Sequence, residues 1–322
     1  MTTYIIKRVL MVIIIVLVAT LIIYTLLYAL TSSRVRSMPI YGDGDALDSV
    51  FELLNVRAGF FTRYLRYCYN VFIHFDFGRS DFNSLRLMRE LNIRLRNTIL
   101  ILTSGVGATL IIGIPVGVYT AIHKNRAGDR ILSIVFLFLS SIPSYAIAMI
   151  IALTLAVYLR VLPITGDYRT ARAFIMPMLS LAIGGISTIA RMTRANMLEA
   201  LEQPFIIALR AKGLKEKSVV YRHALKNALV PIISALGGLI SQLLCWALVI
   251  ELFFNVPGLG SYLLRSVGGR DHFEILGSVV LMTLILAVMN LASDILYAIV
   301  NPQIRLRYNK PRKVKIGKES AQ

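Results

Sequence analysis

Six uncharged runs divide the chain: Val9–Leu30, Asn97–Ile122, Ile131–Leu159, Ala173–Ala190, Ala228–Ile250 and Ile275–Ser293, with 22, 26, 29, 18, 23 and 19 residues. A helix needs roughly 18–20 apolar residues to cross a hydrocarbon core. In lipid the backbone must satisfy its own hydrogen bonds, which leaves helices or closed barrels. The alternation of a barrel is missing, so the pattern predicts an all-α polytopic membrane protein with six transmembrane helices.

Composition agrees. Of 322 residues, 57% are hydrophobic and 16% charged, against about 25% charged in a soluble domain. The net charge of +18 would suit nucleic acid, but no basic stripe is interleaved with stacking aromatics, and that partner is excluded. The basic residues instead alternate between connections. Residues 1–8 hold 2, 123–130 hold 3, 191–230 hold 8 and 301–322 hold 7, whereas the short connections 157–172 and 254–275 hold 3 and 2. This positive-inside pattern predicts cytoplasmic N- and C-termini in a bacterial-type cell membrane. Four regions follow: 1–30, a cytoplasmic N-terminus and first transmembrane helix; 31–97, an extracytoplasmic insertion; 98–300, a five-helix core with a cytoplasmic loop at 191–230; and 301–322, a basic tail suited to anionic membrane lipid.

Several features leave alternatives open. The run after Lys7-Arg8 exceeds the roughly 7–15 residues of a signal-peptide core, which favours an uncleaved span. Segment 31–97, with 10 basic and 7 acidic residues, reads as a small folded cap or as a solvated loop. Gly113 and Gly117 have the small-xxx-small spacing of closely packed or sliding helices. Ser141, Pro143 and Ser144 predict a bend in the third span and a candidate pathway lining. Pro257 and Gly258 mark a tight turn after Glu251, and these three residues, with Asp294, join the candidate pathway or gate set. Asp294 is an intramembrane carboxylate, either a functional group or one that snorkels or binds backbone. Cys68 and Cys245 fall in different regions, and the four histidines lack metal-ligand spacing.

The stretch Glu199–Pro231 is unusual for a cytoplasmic loop. Pro204 suits a first helical position and Gly213 a left-handed cap. The apolar helix between them, with Phe205, Ile206, Leu209, Arg210, Ala211 and Lys212, is only about 13 Å long at roughly 1.5 Å per residue. Helices this short are marginal in water, so something must hold it, and a partner's groove is an obvious holder. Lys215–Asn227 predicts a second, basic helix with Tyr221, Ala224, Leu225 and Ala228 on one face.

Glu199-Ala200, Ala211-Lys212-Gly213-Leu214 and His223-Ala224-Leu225-Lys226-Asn227-Ala228-Leu229 with Pro231 resemble the EAA signature of ABC-importer permeases. The likeness is to the first (B-type) permease of the dipeptide/oligopeptide/nickel branch. It extends through Asp76-Phe77-Gly78-Arg79-Ser80, Arg94-Leu95-Arg96-Asn97-Thr98, Glu251, Pro257-Gly258-Leu259-Gly260, Arg270-Asp271, and Asp294 with Tyr297 and Pro302. Arg96, Asn255-Val256 and Asn301-Pro302-Gln303 depart from the usual pattern. The resemblance implies an ABC type I importer permease fold. It implies a second homologous permease subunit, two cytoplasmic ATPase subunits and an extracytoplasmic solute-binding protein as partners. Glu199, Ala200 and Pro204–Gly213 are then the contact with an ATPase, and the cargo is a peptide, nickel or a glutathione-like solute.

The residues are compatible with that division of labour. No G-x-x-x-x-G-K-[ST] phosphate loop occurs, so ATP and Mg belong to the partner ATPases and no cofactor is expected in this chain. A self-contained secondary transporter would show internal repeats and several intramembrane charges, whereas Asp294 stands alone. An intramembrane hydrolase would carry H-E-x-x-H or G-x-S-x-G, and neither is present.

Overall fold

A computed structural model of the chain describes residues 2–30, 60–78, 87–164, 166, 168 and 170–300. Among them every regular element is a helix: α1 Thr2–Leu30, α2 Phe60–Ile73, α3 Leu87–Ile122, α4 Ala127–Ser141, α5 Ser144–Tyr158, α6 Ala171–Leu201, α7 Pro204–Ala211, α8 Glu216–Phe253, α9 Leu259–Gly269 and α10 His272–Val300. Five of these are long and apolar enough to cross a membrane, and six spans result if α4 and α5 count as one. The tail 301–322, Arg79, Ser80 and most of the expected cap at 31–97 lie outside the described residues.

The core is a parallel helix pair. A Cβ at Gly105 would meet Leu181, and one at Gly113 would meet Ile189; at Gly117 it would lie 2.5 Å from Thr193 Cβ. Thr109 fills the same register, donating from its hydroxyl to the Ala182 carbonyl and packing on Gly185. Small residues every fourth position on α3 thus let α6 approach along three helical turns. The helix itself begins at Leu87, ahead of the uncharged run, and its first turns include the Glu90–Arg94 pair at 3.1 Å.

The third span is broken more sharply than a proline kink. Helix α4 ends at Ser141, Ile142 and Pro143 are extended, and α5 leaves at 106°. Proline disfavours helical backbone in the residue before it, which stops α4 there. The hydroxyls of Ser140 and Ser141 both donate to the Leu137 carbonyl at 2.9 Å, folding these polar groups back onto the last turn of α4.

Two expectations are corrected. Lys215–Asn227 is not a separate helix: Glu216–Phe253 runs unbroken, with a π-helical turn at Val219–Ala224. The extra residue of that turn rotates the face, so Val219, Val220, Ala224 and Ala228 are buried while Tyr221 is exposed. The connection after Glu251 carries an eleven-residue helix, α9, where only a turn was expected.

At the end opposite the basic connections, α2 packs on α1 through Tyr24, Phe60, Tyr64 and Tyr67, and the Tyr64 hydroxyl donates to the Leu17 carbonyl at 2.8 Å. Asp76 accepts the Gly78 amide at 3.0 Å, a turn that buries Phe77 beside Gly277 of α10.

Candidate functional site

Helix α7 has the boundaries its end signals require. Pro204 occupies the first turn, and Gly213 has φ +78°, a conformation open to glycine without strain. The Gly213 amide donates to the Arg210 carbonyl at 2.9 Å and the Leu214 amide to the Leu209 carbonyl at 3.3 Å. That pair of bonds is a Schellman cap. Arg210 closes the turn with a two-pronged pair to Glu216, its Nη2 2.6 Å and its Nε 3.1 Å from the carboxylate. This carboxylate holds the guanidinium pKa above its ordinary value.

The short helix is held by its own chain on one side only. Ile206 is fully buried among Met197, Ala200, Val118, Val219 and Val220, with Leu209 half-buried beside it. Phe205 and Ile207 are 40% and 61% exposed, and Ala208, Arg210, Ala211 and Lys212 share the open side. Glu199 is exposed at the end of α6, while Ala200 is buried. An apolar face therefore remains open on a helix whose other face is fixed. It has the character of a contact surface.

A second constellation joins this arm to the start of α4. Asp129, almost fully buried, accepts from Arg194 Nε at 2.6 Å and Nη2 at 2.9 Å. The same carboxylate accepts the Asn125 amide at 2.9 Å and the Ser133 hydroxyl at 3.3 Å. Lys124 reaches Glu202 at 3.1 Å nearby. Sequence reasoning missed this site. Its signal was an aspartate in a first helical turn, which is too common to single out.

The candidate pathway residues separate into three places. Ser141, Pro143 and Ser144 form the α4–α5 elbow. Glu251 is fully buried, accepting from the Thr98 hydroxyl at 2.6 Å and from the Gly260 and Ser261 amides at 2.8 and 3.1 Å. A Cβ on Gly258 would stand 2.3 Å from that carboxylate, so only glycine fits. Asn97 Nδ2 donates to the Pro257 carbonyl at 2.9 Å, and both residues border a cavity of about 680 Å³ with Arg96, Tyr168 and Phe174. Asp294 pairs with Arg8 Nη1 at 2.8 Å beside a cavity of about 370 Å³ between α1, α8 and α10. Its partner is a side chain of the first span. Among the described residues no group of three or more His, Cys, Asp or Glu side chains is placed to hold a metal.

Residues 113–306 match the family described as binding-protein-dependent transport system inner membrane component. The glutathione transport system permease protein GsiC of Escherichia coli (strain K12) is 29% identical over 308 residues, covering 95% of this chain and 100% of that protein. The protein of the same name from Salmonella paratyphi A is 31% identical over 309 residues, with the same coverage. A chain of the inward-facing MetNI methionine ABC transporter has the same fold, with a TM-score of 0.57 at 20% identity over 67% of this chain and 98% of that one.

Proposed function

The chain belongs to the family of binding-protein-dependent transport system inner membrane components, and from that premise we propose how it works. It is a multi-pass inner-membrane permease subunit of an ATP-driven importer, with the ABC type I importer permease fold. In our reading it forms half of a translocation pathway with a second, homologous permease. The loop 191–230 and both termini face the cytoplasm, on the excess of basic residues there. Two ATPase subunits bind below, one of them seated on the open face of α7, and a solute-binding protein delivers cargo above. The cargo is a peptide, with nickel or a glutathione-like solute as the alternatives.

One observation carries the reading: α7 buries Ile206 in its own chain yet leaves Phe205 and Ile207 open. A rigid, half-covered helix transmits a push, which a loop cannot. The sequence lacks a phosphate loop, so ATP and Mg act in the partners and this chain performs no hydrolysis of its own. Glu199, Ala200 and Pro204–Gly213 are the coupling residues in this account.

The test is purification in mild detergent after co-expression with a partner permease and ATPase subunits. ATPase subunits should accompany the unaltered chain and be lost from a Phe205→Asp, Ile207→Asp variant that still inserts in the membrane. Equal recovery with both forms would refute the seat on α7.

A further inference from the structure

The α4 half of the third span is lightly attached. Among its residues only Asp129 and Phe136 are buried, while Ile131, Ile134, Leu137 and Phe138 are each at least 60% exposed. Its far end is the extended elbow at Ile142-Pro143. Its near end is held by the buried Asp129 carboxylate, which also closes the turn from α3 through the Asn125 amide. Arg194, which grips it with two bonds, sits on α6 just ahead of Glu199 and α7. Paired, two-pronged arginine–carboxylate contacts fix orientation as well as distance.

We propose that the Asp129–Arg194 pair is a strap that makes the start of α4 follow the coupling arm, so that displacement of α7 and the end of α6 reaches the elbow of the third span. The proposal rests on the reading of α7 as the ATPase seat. Both residues are positioning residues. Lys124–Glu202 is a second, exposed tie in the same direction, and screening by water makes it the weaker of the two. Without the strap, α4 has little buried surface to carry it along, and it falls behind the arm when the arm moves.

The experiment measures the α4–α6 distance in the assembled transporter. Spin labels are placed at Ile134→Cys on α4 and Ala195→Cys on α6, both exposed, with Cys68→Ser and Cys245→Ser to remove other thiols. Distances are read by pulsed electron paramagnetic resonance without nucleotide and after trapping with MgATP and orthovanadate. With the strap intact, the distance should stay the same in both states. With Asp129→Asn it should match the intact form at rest and shift only on trapping; Arg194→Lys, which keeps the charge and loses the fork, should shift less. A shift in the intact protein, no shift in either variant, or equal broadening in both states would overturn the strap. Failure of the intact chain to bind ATPase subunits or trap vanadate would overturn the reading of α7 first, and the strap with it.

Discussion

The hydroxyl of Thr98 donates a 2.6 Å hydrogen bond to the carboxylate of Glu251, joining residues 153 positions apart, while its oxygen accepts the Leu259 amide at 2.8 Å. The start of α3, the end of α8 and the start of α9 meet at this one contact. Thr98→Val keeps the shape and leaves the Leu259 amide and one carboxylate oxygen unmatched in the interior. The expected cost is about 1–3 kcal/mol for each abandoned group. Thermal unfolding of the purified protein in detergent should show a lower midpoint for Thr98→Val, and a larger fall for Glu251→Ala, which strands two amides and a hydroxyl.

The parallel packing of α3 on α6 makes a paired prediction. Gly117→Leu drives a side chain into Thr193 and the Ala190 carbonyl, which a Cβ alone would approach to 2.5 and 2.6 Å. Overpacking of this kind costs about 1–3 kcal/mol or more. Gly107, one helical face away, has open space where a Cβ would stand, with nothing within 4 Å. Gly107→Ala should leave the melting midpoint unchanged or raise it slightly, since alanine is the better helix former by about 1 kcal/mol. Equal losses for the two variants would show that the glycines do not set this interface.

The Gly213 cap separates coupling from insertion. Valine at φ +78° is strained, and the left-handed conformation costs an L residue about 1–2 kcal/mol. That is enough to fray the last turn of α7 without unfolding the bundle. Gly213→Val should reach the membrane in normal amount and hydrolyse ATP in the assembled complex, but lose solute uptake. Normal uptake would remove the cap from the coupling account.

Asp294 distinguishes two modes of energising transport. Its pairing with Arg8 makes it a tie between α1 and α10 that holds two spans together, with no part in the transport cycle required of it. Asp294→Asn should therefore retain ATP-driven uptake, insensitive to dissipation of the proton gradient. Loss of uptake with stable assembly would make the carboxylate part of the transport cycle.

What could be read from the sequence was what propagates locally. Uncharged runs announced the spans, and Pro204 and Gly213 announced α7 within a residue or two, because proline and glycine act on their own backbone. Partners were out of reach. Arg8 and Asp294, Thr98 and Glu251, and Asp129 and Arg194 are each tens to hundreds of positions apart, and nothing periodic links them. The same limit explains the third span: Pro143 signalled a bend, but its 106° angle depends on what α5 packs against, Ile147, Ala148, Ile151 and Ala152 being buried in the core. The continuity of α8 was hidden by its π-helical turn, which shifts the apolar face out of the 3.6-residue period of an ordinary α-helix.

In this reading a separate ATPase drives the chain through the open face of α7. The decisive measurement is uptake of labelled glutathione and of a short peptide mixture into vesicles carrying the whole transporter, with and without ATP at the cytoplasmic face. Accumulation should occur only with ATP and be abolished by Ile207→Asp while the complex remains in the membrane. Accumulation by vesicles carrying this chain alone, on an ion gradient and without ATP, would contradict this reading.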